Sequence, residues 1–375
     1  MDLELSDDQE LLRATTERYL ESAMPPARVR ELADTGAAPG ADYFRGGGEL
    51  GWFAMLVPEE HGGGSVSGGT GIADAVILAE ERGKTLQPGP FIPTNVVAYA
   101  LGAAGSAEQR AQVLPHLVAG EQSAAWAVAD ATGDWNPDAG VRVSKKDTGY
   151  VLSGAKGLVE GADTVDWLLV SAVDDRGAAQ FLVTRDTPGI EVQRLQTFDI
   201  TRPLCDVRFD DVVLPHEARV GDAADTSSVV DRQFEYAAAM ITAESVGAMD
   251  RLFETALDYA KVRTAFGRPI GSFQAVKHLL ADTSLLLEES KAVAVAIARA
   301  LEQGSPDAAE TASIAKAFVS ESGVDLAQNC WQVFGGIGYT WEHDLHLYLR
   351  RLTANASLYG EPAWHREHVC RLQGL

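Results

Sequence analysis

R-T-A-F-G-R-P-I-G-S-F-Q-A-V-K-H (263–278) and W-Q-V-F-G-G-I-G-Y-T-W-E-H-D (331–344) are the two stretches that decide this chain. Each lies where helical periodicity stops or restarts. Together they place an arginine, two glutamines and a glycine pair at helix ends, a set that suits a diphosphate. Arg263 can fork onto phosphate oxygens through two parallel charge-assisted hydrogen bonds. Gly335 and Gly336 let backbone N–H groups close on an anion where a side chain would obstruct.

Outward from these stretches, residues 223–375 carry long helical periodicity near 229–263, 273–303, 307–330 and 342–373. Gly304-Ser305-Pro306 reads as a helix-ending glycine, a capping serine and a first-turn proline. Long helices with short connections predict an antiparallel four-helix bundle. Over residues 121–222 the pattern shortens and alternates, and 150–153, 167–170, 180–183 and 207–209 read as strands of a small β-barrel or sandwich. Residues 1–120 read as helices joined by Gly- and Pro-rich loops, among them 73–83 and 107–117. Ser6 and Gln9 form a capping box for the first. The fold class is α+β, in three domains.

The 375 residues include 31 basic and 54 acidic side chains, a formal charge of −23. Such a surface repels nucleic acid and anionic lipid. An anionic ligand then needs locally concentrated bases, and Arg263, Arg268, Lys277, Arg350 and Arg351 are the supply. Cys205, Cys330 and Cys370 lack close spacing, which predicts buried free thiols and no metal site. No run of about 18 apolar residues predicts a membrane span. The start, M-D-L-E-L-S-D-D-Q-E, lacks a secretory layout, so a cytoplasmic location is expected.

Further motifs carry a family likeness. Pro58-Glu59-Glu60-His61-Gly62-Gly63 resembles a P-E-E-x-G-G loop, and Leu114-Pro115 with Gly120-Glu121 resembles L-P-x-L-x-x-G-E. Asp199-Ile200-Thr201-Arg202-Pro203 and Phe209-Asp210-Asp211-Val212 resemble closing strands of a β domain. With 263–274 and 332–336, these make nearly the whole chain resemble the flavin-dependent acyl-CoA dehydrogenases. The resemblance implies dimers paired into tetramers, with FAD across a subunit interface and an acyl-CoA substrate. An electron-transfer flavoprotein is the implied acceptor. Residues matching Arg263, Gln274, Gln332, Gly335 and Gly336, with Phe266, Val333 and Phe334 beside them, hold the diphosphate and adenosine half of a neighbour's flavin.

The chain departs from the family pattern where the flavin ring would sit. Typical members open the β domain with L-T-E-P-x-x-G-S; here 127–134 reads A-V-A-D-A-T-G-D. The family's W-I-T-N is matched by Leu158-Val159-Glu160-Gly161. The reaction also needs a carboxylate, raised in pKa by an apolar pocket, to take the proton alpha to the thioester while hydride leaves the beta carbon. In the C-terminal Y-E-G motif Gly360 stands in the glutamate's place. Glu361 follows one residue late, about 100 degrees around a helix. At the alternative position on the first bundle helix stands Ala237, with Glu235 two residues away. Glu361 and Glu244 are the surviving candidate bases.

Residues expected to act on a neighbour's cofactor persist, while those expected to act within the chain are missing. This resembles the smaller subunit of heterotetrameric dehydrogenases acting on steroid side-chain CoA thioesters, whose sister subunit carries the glutamate. The alternatives are a self-sufficient enzyme with a displaced base and a structural subunit without flavin.

Overall fold

The computed structural model describes residues 5–222 and 226–375. The expected domain start at 223 and the first four residues of the acidic N-terminus lie outside the described residues. Helix α1 (Asp7–Ala23) opens on the capping box, Ser6 Oγ accepting from Gln9 N and Gln9 Oε1 from Ser6 N. Helices α2 (Pro26–Thr35), α3 (Ala41–Glu49), α4 (Ile72–Lys84), α5 (Phe91–Ala104), α6 (Ala107–Gln112) and α7 (Leu114–Val118) complete the N-terminal layer. α5 is apolar and buried on almost every side, so it carries no amphipathic period.

Strands β1 (Ala124–Ala127), β2 (Val141–Lys146), β3 (Gly149–Glu160), β4 (Trp167–Asp174), β5 (Gly177–Thr184), β6 (Ile190–Arg194), β7 (Leu204–Leu214) and β8 (Arg219–Val220) form one mixed sheet. Its order is β6-β7-β3-β2-β4-β5-β8, with β1 paired parallel to β4. Among the described residues β6 and β8 do not pair, so the sheet is not a closed barrel. Its separate core includes Val141, Leu152, Phe181, Cys205 and Val207.

The C-terminal unit begins with α8 (Thr226–Val262). A tight hairpin of β9 (Thr264–Ala265) and β10 (Arg268–Pro269) leads into α9 (Gln274–Glu302) and then α10 (Ala308–Phe334). The positions of Ser305 and Pro306 differ from expectation: Asp307 is the N-cap, so both precede the helix. The segment expected as one helix over 342–373 is two, α11 (Leu345–Ser357) and α12 (Pro362–Leu372). Tyr359 at φ 57° and Gly360 at φ 104° break it. α11 packs on α8 and α10, and α12 on α10, filling the fourth side of the bundle. Cys205 and Cys330 are buried, but Cys370 is exposed because it lies on the outer face of α12. Among the described residues no helix is long and apolar enough to cross a membrane.

Candidate functional site

The diphosphate candidates meet at one end of the bundle. Val333 packs against Ala260 and Leu280, with Ile270 and Val276 beside them, which draws the end of α10 onto the β9–β10 hairpin. Phe266 and Gly267 both have positive φ, 52° and 80°, the geometry of a two-residue primed hairpin turn. The turn thrusts Phe266 out, 96% exposed, with Phe273 edge-on to it. Arg263, Gln274, Gln332 and Gly336 are exposed as well. Gly335 ends α10 at φ 63°, ψ −141°, a conformation only glycine adopts readily. A side chain built at Gly335 or Gly336 would meet nothing within 4 Å, so the backbone there is open. Val333 and Phe334 differ from expectation. Both side chains are buried, Phe334 stacked on Tyr259 at 4.4 Å.

The expected basic supply is also smaller than the sequence implied. Arg351 is 1% exposed and locked into a buried charge cluster. Its Nε donates to Asp199 Oδ2 at 2.7 Å, Nη1 to Glu244 Oε1 at 2.9 Å and Nη2 to Thr201 Oγ1 at 2.6 Å. Arg202 donates to Glu160 at 3.0 Å and, through Nη2, to Glu244. Asn355 donates to Glu244 at 3.2 Å. The cluster ties the end of β3, the loop before β7, α8 and α11 together.

This setting is the reverse of a general base's for Glu244. Burial alone would raise its carboxyl, but Arg202 and Arg351 outweigh that and hold it at about 2. A base for the alpha proton needs a pKa near the working pH. Glu361 is placed differently: it is the exposed N-cap residue of α12, where the lift that an apolar pocket gives a base is not expected. At Gly360 a Cβ would lie 2.7 Å from His365 Nε2 and 2.8 Å from a Trp364 ring carbon, so no side chain fits. Ala237 is fully buried.

Aromatic rings fill the space between β1, α8 and the α11–α12 break. Trp126 lies 4.9 Å from Phe234 and 6.3 Å from Tyr359; Trp135 lies 5.3 Å from Tyr359, and Trp364 5.8 Å from Phe234. Beneath the break Lys316, 2% exposed, donates to the carbonyls of Gly360 at 3.0 Å and Ala356 at 3.3 Å. Burial pulls its pKa down to about 7 from 10.5. Between those values the unfolded chain keeps a proton that the folded chain has shed, so stability rises with pH. Lys316→Met is expected to flatten that rise in urea-denaturation midpoints between pH 7 and 9. The remainder comes from Lys156, which burial lowers to about 8. An unchanged slope would contradict the assignment.

In the 127–134 segment the donors are already taken. Asp130 Oδ1 accepts from Thr132 N at 2.7 Å, Thr132 Oγ1 at 2.7 Å and Asp134 N at 3.0 Å. Leu158 sits on a bulge of β3 at φ 53°. The exposed Arg263, Gln274 and Gln332 and the open Gly335–Gly336 backbone could hold a diphosphate, whereas donors of the 127–134 loop are engaged by Asp130. Glu160 and Arg202 were missed as charge-cluster members because their partners lie 42 residues apart in sequence.

Models of the acyl-CoA dehydrogenase N-terminal, middle and C-terminal domains match residues 6–121, 135–212 and 227–372. The chain is 32% identical to "Acyl-CoA dehydrogenase IpdE2" of Mycolicibacterium smegmatis, over 98% of this chain and 99% of that protein. It is 33% identical to "Acyl-CoA dehydrogenase FadE34" of Mycobacterium tuberculosis, over 93% of this chain but 45% of that longer protein. Among solved structures, a glutaryl-CoA dehydrogenase from Mycobacterium smegmatis in complex with FADH2 superposes with a TM-score of 0.88 at 21% identity, covering 99% and 96% of the two chains. Three domain matches in order and full-length relatives at this identity make the chain a member of the acyl-CoA dehydrogenase family.

Proposed function

We propose that this chain is one half of a heteromeric, cytoplasmic, FAD-dependent acyl-CoA dehydrogenase acting on CoA thioesters, with steroid side-chain esters as the substrate class. The observation that carries the proposal is the contrast between its two halves. Arg263, Gln274, Gln332 and the Gly335–Gly336 backbone are exposed and open, as contacts to another chain's cofactor must be. The base position at Gly360 is sterically closed, and Asp130 holds the donors of the ring-side loop. FAD, when bound, accepts the hydride. This chain's part is to bind and orient the diphosphate through Arg263 and the Gly335 turn. The proton is taken by a glutamate of the sister subunit. The length of FadE34, of which this chain matches under half, leaves room for a second unit of similar size and agrees with a paired arrangement.

A second reading, the self-sufficient enzyme, draws on a cavity of about 180 Å³ beside Leu158, with Arg202 on its wall. Among the described residues the Nε of Arg202 has no hydrogen-bond partner. Expression of the chain alone and beside candidate partners separates the two. The proposal expects turnover only with a partner; turnover by the lone chain would overturn it. In the active complex Glu361→Gln is expected to leave turnover within about twofold, whereas a lost general base costs about a hundred- to ten-thousandfold. A loss in that range would make Glu361 the base.

A further inference from the structure

A cavity of about 310 Å³ opens between α2, the Pro88–Pro90 turn and the end of β3, away from the diphosphate candidates. Leu32, Ala33, Phe44, Pro90 and Ile200 form apolar parts of its wall, and Glu160 lines it as well. Glu160 is 6% exposed. Its Oε2 accepts from Arg202 at 3.0 Å, but Oε1 accepts from none of the described side chains. Oε1 is not among the buried oxygens shut off from both solvent and donors in the described residues, so it is reachable from the cavity. Gln122, Ser123, Thr164 and Thr201 add polar groups to the wall, so the cavity offers both an apolar and a polar face.

The rim sets the charge of what enters. Glu121 and Asp166 line it, and both are exposed. The cation there, Arg194, is turned to Gly36 O at 2.7 Å and to Asp163 at 3.7 Å. An anion therefore meets repulsion with no free counter-charge, and a CoA or nucleotide phosphate is excluded. A compact apolar body carrying one hydroxyl satisfies both wall and acceptor.

We propose that this cavity binds an uncharged amphiphile, a ring or branched alkyl group whose hydroxyl donates to Glu160 Oε1. Glu160 lies in the segment matched to the family's W-I-T-N strand, so the proposal rests on the reading that no flavin ring sits in this chain; flavin content, read beside the alcohol signal, keeps the two tests apart.

Saturation-transfer NMR on the full chain, in the complex with which it purifies, tests this with cyclohexylmethanol and cyclohexanecarboxylate as probes. The alcohol is expected to receive saturation, and the carboxylate to bind at least about tenfold more weakly because of the acidic rim. Ala33→Phe, which fills the cavity without touching Glu160, is expected to abolish the alcohol signal at unchanged melting temperature and flavin content. Should that variant not fold, Ile200→Trp fills the space from another wall. No signal in the parent chain, an alcohol signal that survives filling, or a carboxylate that matches the alcohol would each overturn the proposal.

Discussion

Arg351→Met is expected to destabilise the chain by about 3–5 kcal/mol, the range measured when one partner of a buried ion pair is removed. That is a large share of the roughly 5–15 kcal/mol by which domains are stable. The substitution keeps the volume of the side chain but strands Asp199 and half of Glu244's neutralisation inside the protein, where Arg351 is 1% exposed. Arg351→Lys is expected to rescue little. One ammonium cannot span Asp199, Glu244 and Thr201, which the guanidinium reaches through three separate nitrogens. Chemical denaturation of the purified variants reads the effect. A loss below about 1 kcal/mol, the scale of an exposed ion pair, would mean that the cluster does not join the three units.

Arg263→Ala is expected to leave folding intact and weaken flavin retention in the complex. Arg263 is exposed and its side chain has no ion-pair partner among the described residues, so its removal leaves no buried group unmet. One lost charge-assisted contact costs about 1.5–3 kcal/mol, about ten- to a hundredfold in affinity. Equilibrium dialysis of flavin against the parent and variant complexes measures it, with unchanged denaturation midpoints as the control. Equal retention would remove Arg263 from the cofactor site.

The meeting of the two runs at one end of the bundle was legible in the sequence because each run is short. Arg263, Phe266 and Gln274 lie within one hairpin and helix start, and Gln332 to Gly336 within one helix end. What distance along the chain conceals was not legible. Arg351 was read as free charge because its partner Asp199 lies 152 residues away. Glu244 was read as a candidate base because nothing in its own helix reveals Arg202 and Arg351. α5 escaped notice because burial on every side erases the period that marks a surface helix. The break at 358–361 was hidden because Tyr359, an unusual residue for positive φ, takes half of the turn that glycine alone would advertise. Glu361 looked displaced by a single residue. In three dimensions it is exposed at the start of α12, and a side chain at Gly360 would meet His365 and Trp364.

The flavin-to-protein ratio of the purified, active heteromer bears most directly on the division between a retained diphosphate grip and a closed ring site. Flavin absorbance after denaturation, set against chain concentration by amino-acid analysis, is expected to give about one flavin for every two chains. One flavin per chain, with this chain holding its own, would contradict it.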